Sequence, residues 1–139
     1  MHLEPVIRDE LERWRGEPLA RVSAVGGGCI AETARVTFAS GNVFFLKFGA
    51  FDPTLFRKEA NGLNALRTAG ALRVPQVFLA TERLLLLEWI PPGRKPPDFF
   101  ERFGRALAGL HRVRGASFGF FEDNFIGATP QPNPPTATW

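Results

Sequence analysis

The chain has 139 residues, of which 45% are hydrophobic and 22% charged, and this composition suffices for one ordinary globular core. Its formal net charge of +3 comes mainly from arginines scattered along the sequence, whereas a nucleic-acid partner calls for a basic stripe or patch. The longest apolar run, Leu84 to Leu87 and on through Trp89 and Ile90, is broken by Glu88 and is far shorter than the roughly 20 residues that span a bilayer, so no membrane segment is expected.

Residues 4 to 15 place Val6, Ile7, Leu11 and Trp14 at helical spacing, with Gly16 and Pro18 as the stop. Acidic residues mixed into this stretch do not make a secretion leader, and the single cysteine, Cys29, fits a reducing, cytoplasmic setting. Leu19 to Val25 reads as a strand, Gly26 to Gly28 as a flexible turn and Ile30 to Phe38 as a second strand. After a Ser40-Gly41-Asn42 hairpin turn, Val43 to Phe48 forms a third strand with Val43, Phe45 and Lys47 on one face. Asp52 and Pro53 predict an N-cap and first helical residue, with Gly70 ending the helix after about Ala69. Leu55, Phe56, Ala60, Leu63 and Leu66 share one side of that helix, and Glu59 lies among them. Val74 to Ala80 and Leu84 to Glu88 complete five strands.

Pro91, Pro92, Gly93, Pro96 and Pro97 make a stiff linker, and Asp98 with Glu101 has capping-box spacing for a further helix through about Arg112. The rest, to Trp139, is rich in Gly, Pro and Asn without periodicity, and its Phe118, Phe120, Phe121 and Phe125 are expected at the surface. The fold class is therefore α+β. Residues 1–90 would form a lobe of five antiparallel strands and one main helix, 91–97 a hinge, and 98–139 the beginning of an incomplete helical lobe.

Three features of this order carry chemistry. Gly26, Gly27 and Gly28 allow backbone N–H groups to approach phosphate oxygens, although three glycines alone equally make a plain hairpin connection. Lys47 on an apolar strand face and Glu59 in an apolar helix stripe are each anomalous, and both are explained if they face one another as an ion pair. Glu88, Trp89 and Ile90, leaving a buried strand for the proline linker, suit a segment whose backbone pairs with a base while apolar groups sandwich it. A lysine held by a helix glutamate beneath a glycine loop is how kinases hold nucleotide phosphates.

The stretches Val25-Gly-Gly-Gly-Cys-Ile-Ala-Glu32, Phe45-Leu-Lys-Phe48, Phe56-Arg-Lys-Glu-Ala-Asn-Gly-Leu63, Leu86-Leu-Glu-Trp89, Leu107-Ala-Gly-Leu-His111 and Phe118-Gly-Phe-Phe-Glu-Asp-Asn-Phe-Ile-Gly127, with Pro130-Gln-Pro-Asn133, together resemble the fructosamine kinase (ketosamine 3-kinase) family. That resemblance covers most of the chain. It implies a protein-kinase-like and aminoglycoside-phosphotransferase-like fold, with ATP and Mg²⁺ used to phosphorylate the sugar 3-hydroxyl of fructosamines or ribulosamines on glycated amines, in protein deglycation. It also implies a substrate side near Asp123, Asn124, Gln131 and Asn133, and a disulfide-linked homodimer through Cys29 of the kind some members form. Ala31 departs from the Asn usual in the family's loop.

Of the four aspartates, Asp9 falls in the first helix and Asp52 and Asp98 at caps, leaving Asp123 beside Asn124. One Asp-Asn pair is too few for the proton acceptor and metal ligands of phosphoryl transfer. The resemblance places the His-Gly-Asp catalytic segment and the magnesium ligands beyond Trp139, so the expectation is a truncated chain that does not turn over alone. His111 reads as a helix C-terminal residue rather than a base. Two other readings stay open: a noncatalytic nucleotide-binding or redox-dimerising module, in which Cys29 is the reactive thiol, and an aminoglycoside- or choline-type phosphotransferase.

Overall fold

The computed structural model describes residues 1–26 and 30–138. The expectations for Gly27, Gly28 and Cys29 lie outside the described residues. The first helix, α1 (Pro5–Arg15), starts on a proline, whose missing N–H costs nothing at a helix N-terminus, and stops at Gly16 in the left-handed region at φ 74°. It is followed by β1 (Leu19–Ala24), β2 (Glu32–Phe38), β3 (Val43–Phe48), α2 (Leu55–Ala69), β4 (Val77–Ala80) and β5 (Leu84–Glu88). The five strands form one sheet in the order β1-β2-β3-β5-β4, with every neighbouring pair antiparallel. This is the α+β architecture expected from the sequence.

The sheet is covered on both sides. Leu3, Ile7 and Leu11 of the N-terminal segment bury one face together with Val36, Phe38, Phe44, Leu46, Phe48, Leu84 and Leu86. Leu55, Phe56 and Ala60 of α2 pack on the opposite face with Leu85 and Leu87. Two-sided cover explains why β5 is an unbroken leucine run, since alternate residues enter different apolar clusters. Rings extend the first cluster: Trp14 meets Phe38, Phe44 and Phe78 at centroid separations of 6.3, 5.6 and 6.3 Å. Among the described residues, no helix is long and apolar enough to cross a membrane.

Several boundaries differ from the periodicity reading, each for a local reason. Helix α2 begins at Leu55 rather than Pro53, because the Asp52 carboxylate accepts from the N–H and hydroxyl of Thr54 and so closes a turn ahead of the helix. Leu66 is exposed rather than part of the buried stripe. Strand β4 begins at Val77 rather than Val74, since Pro75 has no N–H to give a ladder. The next helix, α3 (Phe99–Leu110), has Asp98 at its N-cap but no side-chain cap bond, and Glu101 pairs instead with Arg105 at 2.6 Å.

The C-terminal stretch, read as aperiodic, contains a small hairpin of β6 (Asn124–Ile126) and β7 (Thr129–Gln131). Gly127 turns it at φ 62°, and backbone hydrogen bonds of 2.9 and 3.0 Å between Phe118 and Thr136 close its base. Phe118 and Phe121 are exposed as expected, whereas Phe125 packs against the cluster beneath α2.

Candidate functional site

Strand β3 places Lys47 opposite Thr33 of β2 and Leu85 of β5, on the sheet face that α2 covers. From α2, Glu59 reaches down with both oxygens, which accept from Lys47 Nζ at 2.6 and 2.7 Å. The two anomalous residues of the sequence are thus partners. Their ion pair stands at the wall of a cleft of about 500 Å³, lined also by Ile30, Ala31, Leu55, Lys58, Gly62, Leu63, Asn124 and Phe125. A volume of this order suits a nucleotide-sized ligand. Lys47 and Lys58 against Glu59 leave one positive charge in excess among the lining side chains, which favours an anionic occupant.

Val25, next to Gly26, is held by a residue that pattern reading passed over. Thr33 is buried to 6% exposure; its hydroxyl donates to the Val25 carbonyl at 2.5 Å, and its own carbonyl accepts from the Val25 N–H at 3.1 Å. Val25 is thereby tied to Thr33, which stands in the same row of the sheet as Lys47. Gly26, the described glycine of the turn, is exposed, and open space lies where a Cβ would stand. The only signal available in sequence was Thr33's place on the same face as Arg35, opposite the alternating apolar residues Ala34 and Val36.

Glu88, Trp89 and Ile90 lie at the end of β5, away from the cleft lining. Glu88 pairs in register with Phe44, three residues along β3 from Lys47 and so roughly 10 Å from it. Its carboxylate does not face the Lys47 side: it accepts from Arg73 at 2.7 Å and from the Gln76 N–H at 3.2 Å, and the Arg73 guanidinium chiefly holds its pKa below the usual glutamate value. Trp89, the next residue, turns to the other face and stacks on Phe45 at 6.5 Å, with Arg35 5.4 Å from its ring centroid.

The candidate substrate-side residues divide. Asn124 lines the cleft, whereas Asn133 is the tie of the hairpin: its N–H donates to Asp123 at 2.7 Å and its amide nitrogen to the Glu122 carbonyl and Asn124 Oδ1 at 3.1 and 2.9 Å. Gln131 donates to the carbonyl of Pro132 at 3.0 Å. Sequence reasoning missed what brings this segment to the cleft. Asn61 of α2 donates to Glu122 at 2.8 Å, and the Lys58 ammonium lies 5.2 Å from the Phe125 ring centroid. His111 is at the C-cap of α3 and does not line the cleft.

A sequence model described as fructosamine kinase matches residues 4–139. The chain belongs to the fructosamine kinase family. It is 36% identical over 140 residues to a protein named a probable ketoamine kinase from Synechocystis, covering 96% of this chain and 48% of that protein. It is 31% identical to a chloroplastic protein-ribulosamine 3-kinase of Arabidopsis thaliana, covering 100% of this chain and 44% of that one. The crystal structure of a candidate fructosamine-3-kinase from Thermobifida fusca superposes with a TM-score of 0.82 at 33% identity, over 96% of this chain and 48% of that chain. The chain therefore spans about half the length of the family members it matches, and its sheet and α2 have the arrangement of a kinase-like N-lobe.

Proposed function

We propose that the chain forms the nucleotide-binding part of an ATP-dependent ketosamine kinase, which phosphorylates the sugar 3-hydroxyl of fructosamine or ribulosamine groups on glycated amines. The observation that carries this reading is the two-pronged contact of Glu59 with Lys47 at the cleft wall. Two ammonium N–H groups are committed to the carboxylate, which fixes the direction of the third toward an incoming phosphate oxygen. Gly26 to Cys29 would lie over the phosphates, and the backbone from Glu88 to Ile90 would receive the adenine. The division into a lobe of residues 1–90, a hinge of 91–97 and a following segment of 98–139 belongs to the same proposal.

The proton acceptor for the sugar hydroxyl is a separate matter. Asp9 lies on α1, Asp52 is bound to Thr54, Asp98 precedes α3 and Asp123 accepts from Asn133, so none of the four aspartates lines the cleft. Among the described residues, no group of three or more His, Cys, Asp or Glu side chains is placed to hold a metal ion. In this proposal the magnesium ligands implied by the family lie outside these residues. The reading accordingly has the 139-residue chain bind ATP without transferring its phosphate.

Isothermal titration of the purified chain with ATP tests the first half: binding that Lys47→Met weakens at least tenfold supports it, and equal affinity in both proteins refutes it. Incubation with a fructosamine and ATP tests the second. Phosphorylated product from the chain alone would show that its own residues complete the reaction.

A further inference from the structure

Besides the packing of Phe125, two polar contacts join α2 to the segment that carries the C-terminal hairpin. Asn61 donates to Glu122 at 2.8 Å, and Lys58 lies 5.2 Å from the Phe125 ring centroid. On the helix these residues are three apart, hence about 60° from one another at about 100° per residue. On the other chain segment their partners are also three apart. The match gives α2 two anchor points on one side, while Leu55, Phe56 and Ala60 hold it to the sheet on another. Glu59 projects from the sheet-facing side itself, between Leu55 and Phe56 in helical angle, and from the same turn as Lys58 and Asn61.

We infer that Asn61 and Glu122, with Lys58 and Phe125, form a latch that sets the rotation of α2 and thereby positions Glu59 against Lys47. The sheet contacts are apolar and non-directional, whereas a hydrogen bond prefers a near-linear angle and weakens steeply when misaligned. A side chain ends about 5–6 Å from its helix axis, so a rotation of α2 by about 20° moves the Glu59 carboxylate by about 2 Å. Contacts of 2.6 and 2.7 Å do not survive that displacement. The latch residues touch neither Lys47 nor Glu59 by hydrogen bond, so they are positioning residues. The effect on nucleotide affinity rests on the function proposed above; the effect on the ion pair does not.

The chain makes a direct test practical, because Lys47, Lys58 and Lys95 are its only lysines. With ¹³Cε-labelled lysine, the protein gives three side-chain signals, and Glu59→Gln marks the position of Lys47 without its anionic partner. Asn61→Ala is the leading variant, since alanine is the better helix former and a purely structural role predicts an intact or firmer α2. The expected result is a Lys47 signal displaced toward its Glu59→Gln position, an unmoved Lys95 signal, restoration of the native signal when Glu122→Gln keeps an acceptor oxygen where Glu122→Ala does not, and ATP bound about twofold to tenfold more weakly in Asn61→Ala, the factor for one hydrogen bond of ordinary net strength. Phe125→Leu should move the Lys58 signal by removing the ring beneath it.

An unmoved Lys47 signal in both Asn61→Ala and Phe125→Leu would overturn the latch. So would loss of helix content in Asn61→Ala, which would make the contact one of folding rather than positioning. Should the native chain bind no ATP while the Lys47 signal still moves, the latch stands and the proposed nucleotide function fails.

Discussion

Glu59 meets Lys47 with both carboxylate oxygens across the gap between helix and strand, yet neither side chain is sealed from water, at 32% and 24% exposure. Partial solvation limits what the pair adds to folding, because desolvation and side-chain ordering offset most of the attraction. Glu59→Gln should therefore cost about 1 kcal/mol of stability or less. Under the proposed function its effect on nucleotide affinity should be larger, tenfold or more, because an ammonium without its anionic partner would no longer be directed at a phosphate. Urea unfolding and calorimetric titration on the same variant check the split. A large stability loss with unchanged affinity would make the pair a folding element.

Phe56 carries the opposite balance. It is fully buried beneath α2 and meets Phe51 edge-on at 5.9 Å, within the cluster that joins the helix to Leu85 and Leu87. Truncating a buried phenylalanine removes its transfer energy and leaves a cavity, so Phe56→Ala should destabilise by about 3–5 kcal/mol. Phe100→Ala, at a side chain 72% exposed, should change stability by less than about 0.5 kcal/mol. Comparable urea midpoints for the two variants would show that the helix is not held by this cluster.

The legible parts of the molecule were those in which a residue type contradicted its neighbours or a pattern ran for a full element. Strand β3 is bounded as its alternation predicts, and Lys47 and Glu59 pair because each is a charge in an apolar stripe. The hairpin of β6 and β7 escaped because three-residue strands are too short for a period to show and Pro130 argues against a strand in any interior position. It is tolerated here at the edge of a two-stranded ribbon. Long-range contacts such as Asn61 to Glu122 have no local signature, since neither residue type contradicts its sequence neighbours.

Acid should weaken the fold by an identifiable route. Glu12 accepts from the Leu19 N–H at 2.9 Å and from Arg8 at 3.1 Å, joining α1 to the start of β1, and the Leu19 bond chiefly holds its pKa below the usual 4.5. Asp52 is held low by the Thr54 hydroxyl and Glu88 by Arg73. A carboxylate whose folded pKa lies below its unfolded value contributes its full stabilisation above the unfolded value, and this is lost as pH falls through the folded one. The melting temperature should accordingly drop as pH falls below about 4.5, with a shallower acid limb in Glu12→Gln than in the parent. Superimposable limbs would remove Glu12 from the account.

Gly119 supplies the sharpest test of the hairpin segment. Its φ is +98°, and a Cβ built there would stand 2.6 Å from the carbonyl oxygen of Pro134 and 3.3 Å from that of Asn133. Both neighbours are backbone, so neither can swing aside, and Asn133 is the residue whose three hydrogen bonds tie Glu122, Asp123 and Asn124 together. Gly119→Ala must therefore displace the tie as well as meet the cost of about 1–2 kcal/mol for a left-handed non-glycine residue. Gly127→Ala is the control, with φ +62° and open space around the added methyl, so that only the conformational cost applies. Hydrogen exchange separates the two. In Gly119→Ala the amides of Asn133 and Thr136 should exchange at least about tenfold faster than in Gly127→Ala, the factor for about 1.4 kcal/mol of extra local opening, while Val36 and Leu46 in the buried sheet keep the parent rates. Equal acceleration by both substitutions would mean that the contact between Gly119 and the backbone of residues 133 and 134 does not hold the segment together.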